Sequence, residues 1–231
     1  MQQLTGQHES HLVTTACGHL LQAEAAAAFA ALQCDALAAG FDLAIASSFR
    51  SFERQCAIWN GKASGARPVY GDGGEAVELG KLAPSDQVHA IMRFSALPGT
   101  SRHHWGSDLD IFDAAAMPRG YQLQLSLAEV AGGGMFDPLH CWLDERMACD
   151  QSYGFFRPYS TDTGGVAPER WHLSHAPCAL RCESACNTEV LQALLSDQGI
   201  ALWKPVQDHL DEILQRYVHV GNDWCPAAYL G

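Results

Sequence analysis

The rhythm of apolar and polar positions changes several times along the chain, and each change marks a structural element. Residues 22–39 are rich in alanine and free of proline and glycine, which predicts a helix that stops at Gly40. Residues 41–46 alternate well enough for a strand. Ser51 is placed to cap a second helical stretch running through Glu53, Gln55, Ala57 and Ile58. Residues 61–80 hold six glycines and one proline and read as a surface loop. A helix is expected over 85–94, a strand over 109–112 and a glycine loop at 132–134. Residues 138–149 predict a helix with Leu139, Trp142, Leu143 and Met147 on broadly one face. A short strand over 153–156, a polar loop over 160–168 and a strand over 171–174 follow. Amphipathic helices near 188–195 and 205–218 close the pattern. Helices and short strands mix without regular βαβ repetition, so the expected class is α+β. The 231 residues suit a single domain with its core at about 20–180 and a helical extension, 181–231, packed on it.

The net charge of −12 argues against non-specific nucleic-acid binding and against attraction to an anionic membrane surface. The most apolar long stretch, residues 20–39, is interrupted by Gln22, Glu24, Gln33 and Asp35 and falls short of a membrane span. The first ten residues show no basic region followed by an apolar run, so a cytoplasmic chain is expected, or a periplasmic one if a leader has been removed. Nine cysteines cannot all pair within the chain. Cys178, Cys182 and Cys186 are spaced more widely than the close pair of a structural zinc site. The cysteines are therefore expected to be mostly free thiols, with one or two disulfides, rather than a second metal site.

Candidate chemistry sits in three separated stretches. The first carries Arg50, the second Ser101, His103, Asp108 and Asp110, the third Glu169, Trp171 and His172. Imidazole and carboxylate are both ordinary Zn²⁺ ligands, and Gly106 permits a turn that returns His103 and Asp110 to one point. His172 is the strongest third ligand, which leaves a fourth position for water. Glu169 is then free to act as a general base, with a bend after Pro168 bringing it to the side of His172. Arg50 follows a strand and precedes a helix, where a guanidinium can meet either a carbonyl becoming anionic or a substrate carboxylate. Trp105 and Trp171 are candidates for a pocket wall. Each residue alone also has an ordinary use: a surface histidine, a capping aspartate, an exposed ion pair, a packed tryptophan.

Taken in order, the three stretches resemble the zinc D-alanyl-D-alanine carboxypeptidase and dipeptidase family, the VanY/VanX-like peptidases. The pattern Ser-x-His-x-x-Gly-x-Ala-x-Asp is similar to residues 101–110, Glu-x-Trp-His to residues 169–172, and Tyr/Phe-Arg-Ser followed by glutamine to Phe49, Arg50, Ser51 and Gln55. The resemblance implies one Zn²⁺ held by His103, Asp110 and His172, with Glu169 as catalytic base and Arg50 facing the polarised carbonyl. Ser101, Arg50, Gln55, Trp171 and Asp108 are the implied substrate-binding residues. It also implies a compact domain whose small antiparallel sheet carries the zinc site between helices, as in hedgehog and D,D-peptidase domains. The implied substrate is a peptide ending in D-alanine, or a related peptidoglycan stem.

Asp108 departs from this pattern, standing where alanine is usual. Three uses are open to it: touching the metal, orienting a ligand, or reshaping the pocket. His104 is an alternative ligand to His103. Two rival functions share the scaffold, an endopeptidase or dipeptidase with the same zinc chemistry and a non-catalytic zinc-dependent binding module. Oligomeric state is not legible from the chain.

Overall fold

The computed structural model describes residues 2–195 and 199–219. A short antiparallel hairpin, β1 (Leu12–Thr14) and β2 (Leu20–Gln22), leads directly into helix α1 (Ala23–Ala38). Then come β3 (Leu43–Ser47), α2 (Phe52–Ala63) and α3 (Pro84–Met92). A 3-10 turn, Arg102–Trp105, precedes β4 (Asp108–Asp113), followed by α4 (Leu127–Val130), α5 (Asp137–Ala148), β5 (Phe155–Phe156) and β6 (His172–His175). The helices α6 (Ala176–Ala185), α7 (Thr188–Leu195), α8 (Trp203–Asp208) and α9 (Leu210–Ile213) end in a π-helical turn, Leu214–Val218. The class is α+β, with small antiparallel sheets flanked by helices. No helix of the described residues is long and apolar enough to cross a membrane.

Local chemistry explains the boundaries that matter. Alanine-rich α1 ends where Gly40 takes φ 93°. Ser51 accepts the backbone N–H of Arg54 and so starts α2. Gly106 closes the Arg102–Trp105 turn at φ 69°, a left-handed conformation. A Cβ at this position would also meet Leu12 Cδ2 at 2.3 Å, so that side chain would have to move, but the left-handed backbone is what favours glycine.

The main sheet has the order β3-β4-β6-β5 and is antiparallel throughout. Across its central pair, Asp108 faces Ser174, Leu109 faces Leu173 and Asp110 faces His172. Because side chains alternate along a strand, the leucines point to one face and the polar residues to the other. On the apolar face, Leu43, Leu109, Ile111 and Leu173 pack with Phe29 and Leu32 of α1 and with Leu139 and Leu143 of α5. Leu109 and Leu173 are fully buried, each worth about 1.5–3 kcal/mol relative to exposure. Slipping the register by one residue would drive Asp108 and Asp110 into this layer, so the leucine pair holds the polar face in place.

A second apolar cluster lies beyond the polar face. Phe52 and Trp59 of α2 and Ile91 of α3 pack there with Leu191, Val206 and Ile213 from the C-terminal helices. Described residues after 180 thus join this apolar cluster, and Trp59 Nε1 donates to the Ala201 carbonyl at 2.8 Å.

Several sequence expectations change. The hairpin β1–β2 and helix α6 were not anticipated. The helix expected over 205–218 is broken into α8, α9 and the π-helical turn. The strand expected over 153–156 shrinks to Phe155–Phe156, because Tyr153 and Gly154 both take positive φ, 54° and 83°. All eight described cysteines are free, so none of the expected disulfides forms among them, and Cys225 lies outside the described residues. Cys178 and Cys182 lie in α6 and Cys186 caps its C-terminal end, and Cys182 and Cys186 join the second apolar cluster as small hydrophobes.

Helix α5 also buries His140, whose Nδ1 accepts from Arg157 Nη1 at 3.3 Å. Burial, with Arg157 beside it, pushes this imidazole down to about 3. The unfolded chain takes up a proton there near pH 6.5, whereas the fold keeps the ring neutral. Its contribution to stability is therefore full above pH 6.5 and is lost progressively as pH falls towards 3. Urea unfolding is expected to show a lower midpoint at pH 4.5 than at pH 7, and a smaller drop in His140→Gln. An equal drop in both proteins would contradict the assignment.

Candidate metal centre and its cavity

The polar face of β4 and β6 presents Asp110 and His172 as directly opposed residues, and the turn ending at Gly106 brings His103 onto them. One ligand atom from each of His103, Asp110 and His172 lies within 4.8 Å of the other two. All three are buried, and among the described residues they are the single such cluster of histidine, cysteine and carboxylate groups. His103 Nε2 is 3.3 Å from Asp110 Oδ2, and His172 Nδ1 is 3.2 Å from Asp110 Oδ1. The two imidazole rings meet edge to face, with centroids 4.9 Å apart.

Donor chemistry and electrostatics both fit a cation here. Two imidazoles and one carboxylate match a three-ligand zinc set with an open fourth position. No well-aligned hydrogen bond reaches Asp110 Oδ1 despite the nearness of His172, so the two groups converge on a point without sharing a proton well. Burial opposes charge on His172, yet Asp108 and Asp110 outweigh it and raise this imidazole to about 10. Burial likewise opposes charge on Asp110, but His103 and His172 hold it far below the usual carboxylate range. The two aspartates thus favour positive charge at the position of the His172 imidazole, and a cation bound there would supply it once the ring gave up its extra proton.

Glu169 reaches the same place from the turn before β6. The His172 backbone N–H donates to the Glu169 carbonyl at 3.1 Å, closing the bend expected after Pro168. This puts Glu169 Oε2 3.6 Å from His172 Nδ1. Burial pushes the Glu169 carboxyl up to about 7, with the Asp110 charge adding to the rise and His172 opposing it. A carboxyl in that range can both take and return a proton near neutral pH.

These groups line a cavity of about 250 Å³. Arg50, Ser101 and Trp171 are on its wall, as is the apolar trio Phe94, Leu125 and Val166. Arg50 is held from behind, its Nη1 donating to Gln55 Oε1 at 2.9 Å while Gln55 Nε2 donates to the Ala96 carbonyl at 2.6 Å. Gln55 is fully buried, absent from the cavity wall and hydrogen-bonded to Arg50.

Asp108 is likewise fully buried behind His172 and off the cavity wall. His104 points away from the cluster. Its Nδ1 lies 2.6 Å from the Arg50 carbonyl, and its Nε2 accepts from the Gly99 N–H at 3.1 Å. The ring therefore carries its proton on Nδ1 and ties the Arg50 segment to the Ser101 segment. Trp105 is fully buried in the second apolar cluster and does not line this cavity.

Sequence reasoning missed three contributors. Arg102, fully buried beside Asp108, gave no signal because its partners are set by the fold. Tyr159 packs its ring 5.1 Å from that of His172. Glu129 shapes the cavity rim: its carboxylate accepts from the backbone N–H groups of Gln124 and Ser126, both at 2.8 Å, around Leu125, which takes φ 51°. Here a signal existed, since Ser126 and Glu129 have the spacing of a capping box.

Residues 18–178 match the VanY family, described as D-alanyl-D-alanine carboxypeptidase. An uncharacterised protein of Haemophilus influenzae is 48% identical over 98 residues, which is 41% of this chain and 67% of that protein. Among solved structures, VanYB in complex with D-alanine-D-alanine superposes with a TM-score of 0.51 at 18% identity, over 91% of this chain and 89% of that one. The LdcB LD-carboxypeptidase gives a TM-score of 0.52 at 22% identity, over 91% of this chain and 80% of that one. At these identities the two structures support the fold.

Calorimetric titration of the metal-free protein is expected to show one zinc ion per chain. His103→Ala should weaken it by more than the roughly 10–100-fold that loss of a supporting partner alone costs, while Cys182→Ser leaves it unchanged. Loss of binding in the cysteine variant and not in the histidine variant would contradict the ligand set.

Proposed function

Because the chain belongs to the VanY D-alanyl-D-alanine carboxypeptidase family, we propose that it is a zinc-dependent carboxypeptidase that removes the terminal D-alanine from short peptidoglycan-type peptides. The observation that carries this reading is the placement of Glu169. A carboxyl raised to about 7 stands 3.6 Å from a metal-ligand candidate, inside the cavity that also holds Arg50.

Zinc held by His103, Asp110 and His172 would lower the pKa of a water and polarise the scissile carbonyl. Glu169 takes the proton from the attacking water and delivers it to the departing amine. Arg50, steadied by Gln55, faces the charge that develops on the carbonyl oxygen. Ser101 offers a hydroxyl to the peptide, and Trp171 provides an apolar wall. The cavity, at about 250 Å³, falls just below the range of roughly 300–1,000 Å³ common for small-molecule pockets, which suits the end of a short peptide. The same zinc chemistry would serve a dipeptidase or endopeptidase, and product masses separate these from a carboxypeptidase.

Zinc-loaded protein is to be incubated with peptides ending in D-alanine after a D- or an L-residue, and the products weighed. Release of a single terminal D-alanine is expected. Glu169→Ala should keep its zinc and lose about 10²–10⁴-fold in turnover. Internal cuts would replace the carboxypeptidase reading with an endopeptidase. Near-native turnover by Glu169→Ala would remove Glu169 from its role, and an inert, zinc-loaded protein would favour a binding module.

A further inference from the structure

Behind the metal-centre candidate lies a buried ionic network that the reaction itself does not use. Asp108 occupies the polar face of β4 two residues before Asp110 and is completely shielded from solvent. Its Oδ1 accepts from Arg102 Nε at 2.9 Å and lies 3.0 Å from His172 Nε2. Its Oδ2 accepts from the Ser107 hydroxyl. Arg102 is also buried, its Nη1 donating to Glu183 Oε2 of α6 at 2.7 Å and its Nη2 to the Ser174 hydroxyl at 2.8 Å. Its guanidinium lies 4.6 Å from the centre of the Trp105 ring.

We propose that Asp108, anchored by Arg102, is a positioning residue that fixes both the ring orientation and the proton placement of His172, and thereby its strength as a metal ligand. An ionised carboxylate can only accept hydrogen bonds. With Arg102 and Ser107 already donating to it, Asp108 requires the proton of His172 to sit on Nε2. The lone pair of Nδ1 is then directed at the point shared with Asp110 Oδ1 and faced by Glu169 Oε2. A neutral imidazole without such a partner divides its population between two tautomers, one of which cannot bind a metal through Nδ1. The carboxylate also raises the basicity of the ring and resists its rotation. Arg102 makes the arrangement tolerable in the interior, because Asp108 alone would be a buried charge without compensation. The usual alanine at this place in the resembling pattern could do none of this.

This inference rests on reading His103, Asp110 and His172 as the metal site, and the test separates the two. Asp108→Asn keeps the shape and an acceptor oxygen but removes the charge. The readouts are the zinc dissociation constant and the ring N–H signal of His172 in ¹⁵N-edited spectra of the zinc-loaded protein. Native protein is expected to show a solvent-protected His172 Nε2–H. The variant should bind zinc about 10–100-fold more weakly and lose that protection, with its far-ultraviolet circular dichroism unchanged. Should Asp108→Asn fail to fold, the paired variant Arg102→Gln, Asp108→Asn removes both buried charges and is expected to show the same weakening. Zinc bound as tightly by a folded variant as by the native chain, with the ring N–H still protected, would overturn this inference alone. A native chain that binds no zinc would overturn it together with the metal-centre reading.

Discussion

Everything at the site depends on the register of β4 against β6. Leu109 opposite Leu173 on one face dictates Asp108 opposite Ser174 and Asp110 opposite His172 on the other. Burial of two leucines against α1 and α5 is non-specific as a force, but the two-residue period of a strand turns it into a positional constraint. A hydrophobic layer several ångströms from the chemistry therefore decides which polar groups meet. The Gly106 turn contributes His103 to the same point, and the bend before β6 contributes Glu169.

Once placed, these groups impose a second constraint, that of charge in a dry interior. Asp110 and Glu169 approach His172 at Nδ1 and Asp108 at Nε2, while Arg102 pairs with Asp108 and Arg50 lines the cavity. The two aspartates have different fates. Asp108 is satisfied by Arg102 and Ser107 and serves the ring from behind, whereas Asp110 is left with an oxygen that no well-aligned donor reaches. Glu169 keeps a raised pKa because burial, aided by the Asp110 charge, outweighs the pull of His172, Arg50 and Lys62. One face of a four-stranded sheet thus separates structural from chemical carboxylates by their partners.

How much of this was legible in the sequence follows from what each motif encodes. His103, Asp110, Glu169 and His172 stood out because metal chemistry restricts residue type and spacing, and the structure brings all four together. The central strands showed through their short apolar alternation. The β1–β2 hairpin did not, since its strands are three residues long and only partly buried. Helix α6 did carry a signal, its alanines and Pro177 in the first turn, but it follows β6 without a break, so no loop or glycine marks where the strand ends and the helix begins. Gln55 and Asp108 were recognisable as positions of interest, but their roles depend on Ala96 and on His172, partners that only folding supplies. His104 looked as eligible as its neighbour until the turn geometry sent it towards Gly99 and the Arg50 carbonyl.

Nine cysteines and eleven histidines give this chain many ways to hold a metal ion, so the identity of the ligand atoms is the most direct check on the account. X-ray absorption spectroscopy of the protein carrying one zinc ion reads those atoms without reference to activity. The account predicts a shell of about four nitrogen and oxygen atoms at roughly 2.0–2.2 Å, with an imidazole signature and no sulfur. Sulfur scattering at about 2.3 Å would place the ion on cysteine and contradict it.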